Sequence, residues 1–145
     1  MRSLVAYVNE HHQQQIKELL CHYHQLALDV ARDQGDFGTA LAHAHLAITL
    51  AKRTQNNELL AAALYRRGLT YFDMGNLSAA ANDLGSALPY ARYARPQLLG
   101  MVSMEAGRFR AHLAQSCVDK LQACRLLDQT ESILRKVSLK MMQTT

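Results

Sequence analysis

One segment of the sequence recurs about 40 residues later, and this repeat limits the possible folds more than any other feature. The segment 35–47 returns as 75–87, so that Gly35, Ala40 and Ala47 recur as Gly75, Ala80 and Ala87. A third and weaker copy places Ala123 where the first alanine of each copy stands. Repeats of this period are typical of stacked helical units, each of which buries its apolar face against the next.

The repeated residues predict a helical hairpin. Gly35 and Gly75 can adopt the left-handed backbone conformation that ends a helix. Asp36, Asn76 and Asp119 can then cap the following helix by accepting hydrogen bonds from its first free N–H groups. Alanines seven residues apart keep one face of that helix small, so its partner can approach closely. Each copy therefore indicates two antiparallel helices joined by a tight turn.

The composition favours helices throughout the chain. The 145 residues are 49% hydrophobic and include only two prolines and seven glycines, without the alternating apolar pattern of strands. We predict about six helices, at 10–34, 37–53, 57–74, 77–91, 96–115 and 118–137. Residues 54–57 form a turn between hairpins, Pro96 suits a helix start, and Pro89 predicts a kink or helix end near Leu88. The first helix carries an amphipathic stripe of Ile16, Leu19, Leu20, Tyr23, Ala27, Val30 and Ala31.

These features resemble the tetratricopeptide repeat, most closely in the second hairpin. Its matching residues are Leu64, Gly68, Tyr71, Gly75, Asn76, Ala80, Leu84 and Ala87. The first hairpin has Leu28 where Gly68 stands, and the third has Ala111 there and Val118 at the turn glycine. The resemblance implies an all-α fold of antiparallel hairpins, stacked as a short right-handed solenoid. The chain 1–145 is then a single domain with repeats at about 18–55, 58–95 and 98–137 and frayed ends at 1–9 and 141–145.

Longer, degenerate repeats of this kind are similar to those of bacterial regulators in which a helix-turn-helix domain precedes a tetratricopeptide sensor region. The resemblance implies a non-catalytic module that binds a peptide or protein, as the sensor or oligomerisation part of a cytoplasmic transcriptional regulator. No catalytic residue and no cofactor are expected. A homo-oligomeric scaffold and a nucleic-acid-binding helical repeat are the alternative functions.

The resemblance also implies where a partner binds, because the inner helices of tetratricopeptide hairpins line a concave groove. The corresponding residues here are His22, Gln25, Asp29, Arg32, Asp33, Ala62, Tyr65, Leu69, Phe72, Asp73, Glu105, Arg108, His112, Gln115 and Ser116. Tyr65 and Phe72 are the expected anchors, because aromatic side chains dominate binding hot spots. The alternative for Phe72 is packing between hairpins. Asp29 would repel a carboxylate, which argues against the carboxylate clamp that some members of the family use.

The last helix carries a separate expectation of self-association. End repeats of a short solenoid expose apolar surface unless a polar cap covers it. Leu127, Leu134, Val137 and Met141 form a stripe longer than one neighbouring helix requires. These four residues predict a homodimer formed through the end of the chain.

The sequence contains no motif for nucleophilic catalysis, phosphate binding or zinc peptidase chemistry. Cys21, Cys117 and Cys124 lack paired metal-type spacing and are expected to be reduced thiols in a cytoplasm. Glu18, Cys21 and His22 share one helix face at a spacing suitable for a metal ion, but packing and solvated side chains are the favoured explanation, and no metal is expected. No segment approaches the about 18 uninterrupted apolar residues of a membrane span.

The net charge of +4 permits an acidic partner without requiring one. The basic residues near the second and third hairpins are Arg66, Arg67, Arg92, Arg95, Arg108 and Arg110, with Tyr90 and Tyr93 among them. Arginines beside aromatic rings can hold phosphates and stack on bases. Helical periodicity disperses these side chains around their helices, however. A solvated surface is therefore the favoured interpretation, and direct nucleic-acid binding by this chain is not expected.

Overall fold

The computed structural model describes residues 4–114 and 117–143. These residues form six α-helices and no strand, which confirms the predicted all-α class. The helices are α1 (Leu4–Asp33), α2 (Phe37–Thr54), α3 (Asn57–Asp73), α4 (Leu77–Ala91), α5 (Pro96–Leu113) and α6 (Cys117–Gln143). Consecutive helices pair as three hairpins, α1/α2, α3/α4 and α5/α6. Each hairpin packs on the next through α2 with α3 and α4 with α5, and α1 also contacts α3.

The turns of the first two hairpins have the predicted geometry. Gly35 and Gly75 adopt φ angles of 76° and 80°, the left-handed conformation that glycine tolerates without steric cost. Each turn closes with two backbone hydrogen bonds. Gly35 N donates to Arg32 O and Gly75 N donates to Phe72 O, both at 2.9 Å. The backbone N–H of the residue that follows each glycine donates the second hydrogen bond. The predicted caps are confirmed, since the side chains of Asp36 and Asn76 both accept a hydrogen bond from a first-turn N–H at 3.1 Å.

The other connections follow the sequence only in part. Between the first two hairpins, Gln55 has a φ of 55° and Asn56 caps α3 by accepting a hydrogen bond from Leu59 N at 3.1 Å. Pro96 begins α5, as predicted. Helix α6 begins at Cys117, so the prediction that Asp119 precedes and caps this helix is wrong; the side chain of Asp119 lies outside the described residues.

The centre of each hairpin joins one large side chain to one small residue. In the first hairpin, fully buried Leu28 packs against Ala40 and Ala44. In the second, a Cβ atom added to Gly68 would lie 3.0 Å from Leu84 Cγ, closer than nine in ten real Cβ contacts. The large residue is therefore on the first helix of one hairpin and on the second helix of the next.

The third hairpin repeats the arrangement of the second, in a register different from the prediction. A Cβ atom added to Gly107 would lie 3.1 Å from Leu127 Cγ. Gly107, rather than Ala111, is thus the counterpart of Gly68, and the predicted register of α5 is wrong by one helical turn. Without a turn glycine near Val118, the sequence offers no fixed point from which to count back along α5.

The first and last helices are longer than predicted. Helix α1 has 30 residues and begins at Leu4, and α6 has 27 residues and continues to Gln143. The described parts of both expected frayed ends are therefore helical. Pro89 lies inside α4, which ends at Ala91 as the predicted range 77–91 has it and does not end near Leu88. None of the described helices combines the length and the apolar character that a membrane span requires.

The amphipathic stripe predicted for α1 mostly does not face the hairpin. Cys21 and Leu28 are fully buried against α2, whereas Leu19, Tyr23 and Val30 are exposed on the opposite side of the helix. The apolar spacing correctly predicts a helix but selects the wrong side as the packed one. Cys21, Gln25 and Leu28, rather than the large residues of the predicted stripe, therefore attach α1 to its neighbours.

Candidate functional site

A groove of about 580 Å³ lies between the inner helices α1, α3 and α5. Its lining residues are His22, Gln25, Glu58, Leu59, Ala62, Arg66, Arg95, Gln97, Leu98 and Met101. This volume lies within the range of about 300–1,000 Å³ that is usual for ligand pockets. Of the predicted groove residues that the structure describes, only His22, Gln25 and Ala62 line this groove. Gln115 and Ser116 of the predicted set lie outside the described residues.

The register of the hairpins explains why the groove forms where it does. His22, Ala62 and Met101 each lie six residues before the residue at the centre of their hairpin, Leu28, Gly68 and Gly107 in turn. These three residues therefore occupy matching positions on the three inner helices. The small side chain of Ala62, on the middle helix, leaves space between its larger neighbours.

Gln25 holds two inner helices together beneath the groove. Its side chain is buried, and Nε2 donates a hydrogen bond to the carbonyl of Leu59 at 3.2 Å and contacts Cys21 Sγ at 3.5 Å. Cys21 in turn donates to the carbonyl of Ala47 at 3.3 Å, and burial raises the pKa of its thiol. Gln25 thus contributes a structural link between α1 and α3 more than a free group for a ligand.

A group of charged residues borders the groove on its α1 side. Arg66 forms an ion pair with Asp29, and burial lowers the pKa of the Arg66 guanidinium. Arg32 lies 3.5 Å from Asp73 and 3.8 Å from Asp29. Asp29 Oδ1 and Arg32 Nη1 are buried without a hydrogen-bond partner among the described residues. Three of the predicted groove residues, Asp29, Arg32 and Asp73, therefore meet in this group. Arg32 lies near both carboxylates, and Arg66, which is outside the predicted set, pairs with Asp29.

A second ion pair borders the opposite side. Arg95 Nε donates to Glu58 Oε1 at 2.6 Å, across the boundary between the second and third hairpins. The Arg95 side chain is largely exposed and that of Glu58 about one third exposed. An exposed pair of this kind contributes at most about 1 kcal/mol to stability, so it is available to exchange partners with a ligand.

The predicted aromatic anchors belong largely to the packing between hairpins. Phe72 stacks on the fully buried ring of Phe109 with centroids 4.7 Å apart, and the Arg108 guanidinium lies 5.2 Å from both rings. Tyr65 packs against both neighbouring core clusters, and burial followed by the charge of Glu105 raises the pKa of its hydroxyl. Packing between hairpins, the alternative considered for Phe72, is the arrangement that the structure has.

The remaining predicted residues lie on either side of this stack. Leu69 is partly buried against the same core, and His112 is exposed near the end of α5. Glu105 is buried, with Oε2 at 2.9 Å from Arg108 Nη2 but in a geometry that makes no hydrogen bond. In the observed register of α5, Met101 lines the groove in place of the predicted α5 residues. Gly107 was the available signal, because it is the small residue that matches Gly68.

Four arginines of the predicted basic cluster are ion-paired. Arg66 pairs with Asp29, Arg95 with Glu58, and Arg108 with Glu105. Arg67 donates two hydrogen bonds of 2.7 Å to the buried carboxylate of Asp83, which raises the pKa of Arg67. Pairing of this kind leaves less positive charge for phosphates than the sequence suggests.

The histidines and the candidate metal ligands have other surroundings. The part of the chain that the structure describes contains no group of three His, Cys, Asp or Glu side chains placed to hold a metal ion. His22 is exposed while Cys21 is buried in the first hairpin. His24 and His43, from α1 and α2, lie with their Nδ1 atoms 2.9 Å apart, and burial followed by the charge of His43 lowers the pKa of His24.

The residues predicted for self-association lie beside the contact between α5 and α6. Leu127 packs next to Gly107 and Leu134 next to Gly100, so both already contact α5. Val137 is partly buried and Met141 is exposed. The stripe is therefore partly used within the third hairpin.

Comparisons with known proteins find no matching family model, no matching curated protein and no matching solved structure.

Proposed function

We propose that this chain is a non-catalytic module that binds a peptide segment of a protein partner in the groove between α1, α3 and α5. The observation that carries the proposal is that the matching positions His22, Ala62 and Met101 of three hairpins meet around one groove. A repeated unit that presents the same position three times provides an elongated surface, which suits an extended chain or a helix.

The lining of the groove favours a segment with an apolar anchor. Ala62, Leu98 and Met101 offer apolar contact, and His22 adds a polar group at the rim. Carboxylates already pair with Arg66 and Arg95, so an acidic ligand would have to displace Asp29 or Glu58. The groove should therefore bind an apolar side chain flanked by neutral polar groups most readily, because such a ligand displaces neither carboxylate.

Assignment to the tetratricopeptide family and a role in a bacterial transcriptional regulator are further parts of this proposal. The residues shared by the hairpins, from Gly68 to Ala87 in the second copy, support the family assignment. The regulator role rests on the longer, degenerate form of the repeats. A reading frame upstream of Met1 that encodes no helix-turn-helix segment would contradict that role.

Peptide selection tests the binding site. Peptides of about 12 residues, selected by phage display on the wild-type chain and then synthesised, serve as the probe. Ala62→Trp fills the narrow middle of the groove and is expected to weaken binding of these peptides about 100-fold in isothermal titration. Ala42→Trp, on the exposed side of α2, is the matched control and keeps wild-type affinity.

Two results would contradict the site. Selected peptides that bind Ala62→Trp as tightly as wild type lie elsewhere on the molecule. A selection that yields no binding peptide contradicts peptide recognition itself. Circular dichroism of Ala62→Trp distinguishes lost binding from lost folding, since the variant is expected to keep the helical spectrum of the wild type.

A further inference from the structure

The outer side of α1 carries a row of exposed apolar side chains with heptad spacing. Ile16, Leu19, Tyr23, Leu26 and Val30 are separated by three and four residues in alternation. Their exposed fractions are 56%, 70%, 60%, 66% and 50%. We call these five residues the α1 seam. An average spacing of 3.5 residues is the period at which two helices can stay in contact along their length.

The α1 seam faces away from most of its own hairpin, although the Tyr23 ring contacts the His43 ring of α2 with centroids 6.4 Å apart. Cys21 and Leu28, which pack against α2, fall at the heptad position farthest from the seam. The helix is therefore apolar on two opposite sides, and its own chain covers one of them. Contiguous exposed apolar surface of this length is rare on monomers and marks an interaction surface.

The residue types along the seam indicate what covers it. Ile16 and Val30 take the first heptad position, with Tyr23 between them, and Leu19 and Leu26 take the fourth. In parallel coiled coils, β-branched residues at the first position and leucine at the fourth favour two strands over three or four. One heptad before Ile16 stands exposed Asn9, and a polar Asn at this position fixes the register and the number of strands.

We infer that the α1 seam joins two copies of this chain through a parallel pair of α1 helices. A second copy brings an identical seam of the same length, and the two-fold contact closes on itself. From Asn9 to Val30 the helix is about 33 Å long, whereas α2 to α5 have only 15 to 18 residues each.

The flanks of the seam permit a second copy to approach. In a parallel pair, Gln15 of one chain faces Leu20 of the other, and His22 faces Ala27. None of these contacts joins two carboxylates or two permanently charged cations. A groove of about 340 Å³ beside Tyr23, between the seam and the start of α2, gives room for a large side chain of the second copy.

Sedimentation velocity on the full chain tests the interface. The wild type is expected to sediment as a dimer, with twice the 16.2 kDa mass of one chain, at about 50 μM. Leu19→Asp combined with Leu26→Asp is expected to weaken the dimer at least about 100-fold and to leave the helical spectrum intact, because both residues are exposed. Leu121→Asp with Leu139→Asp, at similar exposure on α6, is the matched control and remains dimeric.

Disulfide trapping tests the parallel direction. In a background with Cys117→Ser and Cys124→Ser, Leu19→Cys and Leu26→Cys are each expected to cross-link with their own kind under mild oxidation, since a parallel pair places equal positions side by side. An antiparallel pair permits at most one of these two self-cross-links. Leu139→Cys, equally exposed on α6, is expected to stay uncross-linked.

Three results would overturn the inference. The first is a wild-type chain that is monomeric at about 50 μM. The second is a dimer that survives the double substitution in the seam but is lost in Leu127→Asp combined with Leu134→Asp. The third is cross-linking at only one of the two seam positions. Each of these results leaves the test of the peptide groove at Ala62 independent, because Ala62 and Met101 lie on α3 and α5 and not on α1.

Discussion

The first and second hairpins pack their two helices together with opposite arrangements of the large and the small residue. Where α1 crosses α2, the large residue is Leu28 on the first helix and the small one is Ala44 on the second. Where α3 crosses α4, the small residue is Gly68 and the large one is Leu84. A position-by-position motif treats Leu28 as a departure from the repeat, although its partner compensates for it. Packing constrains the pair rather than either position.

A polar contact differs between the same two hairpins in a related way. His43 in α2 and Asp83 in α4 occupy equivalent positions of the repeat. His43 contacts His24 at 2.9 Å, whereas Asp83 accepts two hydrogen bonds from Arg67 at 2.7 Å. Both contacts join the two helices of a hairpin. The first depends on neutral imidazole and the second on full charges, so the two hairpins differ in their response to pH.

Removing the large residue of the first hairpin is expected to have the greatest effect. Leu28→Ala deletes a fully buried side chain against partners that are already small, and it should lower the free energy of unfolding by about 4 kcal/mol. Urea unfolding followed by circular dichroism at a fixed chain concentration measures this change. Leu46→Ala, about half exposed on α2, is the control and should change it by about 0.5 kcal/mol or less. Equal losses in the two variants would contradict the packing described for Leu28.

Enlarging the small residue of the second hairpin is expected to have the next largest effect. Gly68→Leu places atoms where Leu84 Cγ and the carbonyl of Ala80 lie within 3.0 and 3.3 Å of a new Cβ. The clash should cost about 3 kcal/mol, partly offset by the better helix propensity of leucine. The control is Gly38→Leu at an uncrowded position of α2, which should be neutral or stabilising in the same urea titration. A neutral Gly68→Leu would show that α3 and α4 are not held this close.

The smallest expected effect is a difference between the two hairpins in how their stability depends on pH. Because the pKa of His24 lies below 6.5 in the folded chain, the unfolded chain binds more protons as the pH falls through that value. The histidine contact therefore contributes its stability above about pH 6.5 and loses it below, while Arg67, whose pKa Asp83 raises, stays charged. When the pH falls from about 7.5 to about 5.5, hydrogen exchange should show a larger decrease in protection factor for α2 than for α4.

A variant that cannot titrate at position 43 provides the control for this comparison. His43→Asn removes the second imidazole and should shrink the pH dependence of α2 without altering that of α4. Equal changes in both helices, or a wild-type α2 that is equally protected at both pH values, would contradict the assigned roles of His24 and His43.

The sequence predicts the local parts of this fold well. Gly35 with Asp36 and Gly75 with Asn76 encode their turns through backbone conformation and capping, which depend on few neighbours. The third hairpin lacks a turn glycine, and its register was therefore predicted one helical turn out of place. That displacement leaves Met101 out of the predicted groove and places Arg108 and His112 in it.

Contacts between hairpins could not be read from the sequence in the same way. The pairing of Glu58 with Arg95, and of Asp29 with Arg66, depends on how far one hairpin shifts along the next. The apolar spacing of α1 has a similar limit. It shows that a side of the helix is apolar, but not whether α2 or another molecule covers that side, since Leu28 is buried while Leu19 is exposed.

A double-mutant cycle at Gly68 and Leu84 tests the size exchange between hairpins most directly. Gly68→Leu, Leu84→Ala and the double variant are unfolded in urea beside the wild type. If the crossing constrains the pair, the double variant, which copies the sizes found at Leu28 and Ala44, should be at least about 2 kcal/mol more stable than the sum of the single effects predicts. Additive losses would contradict the equivalence of the two hairpins.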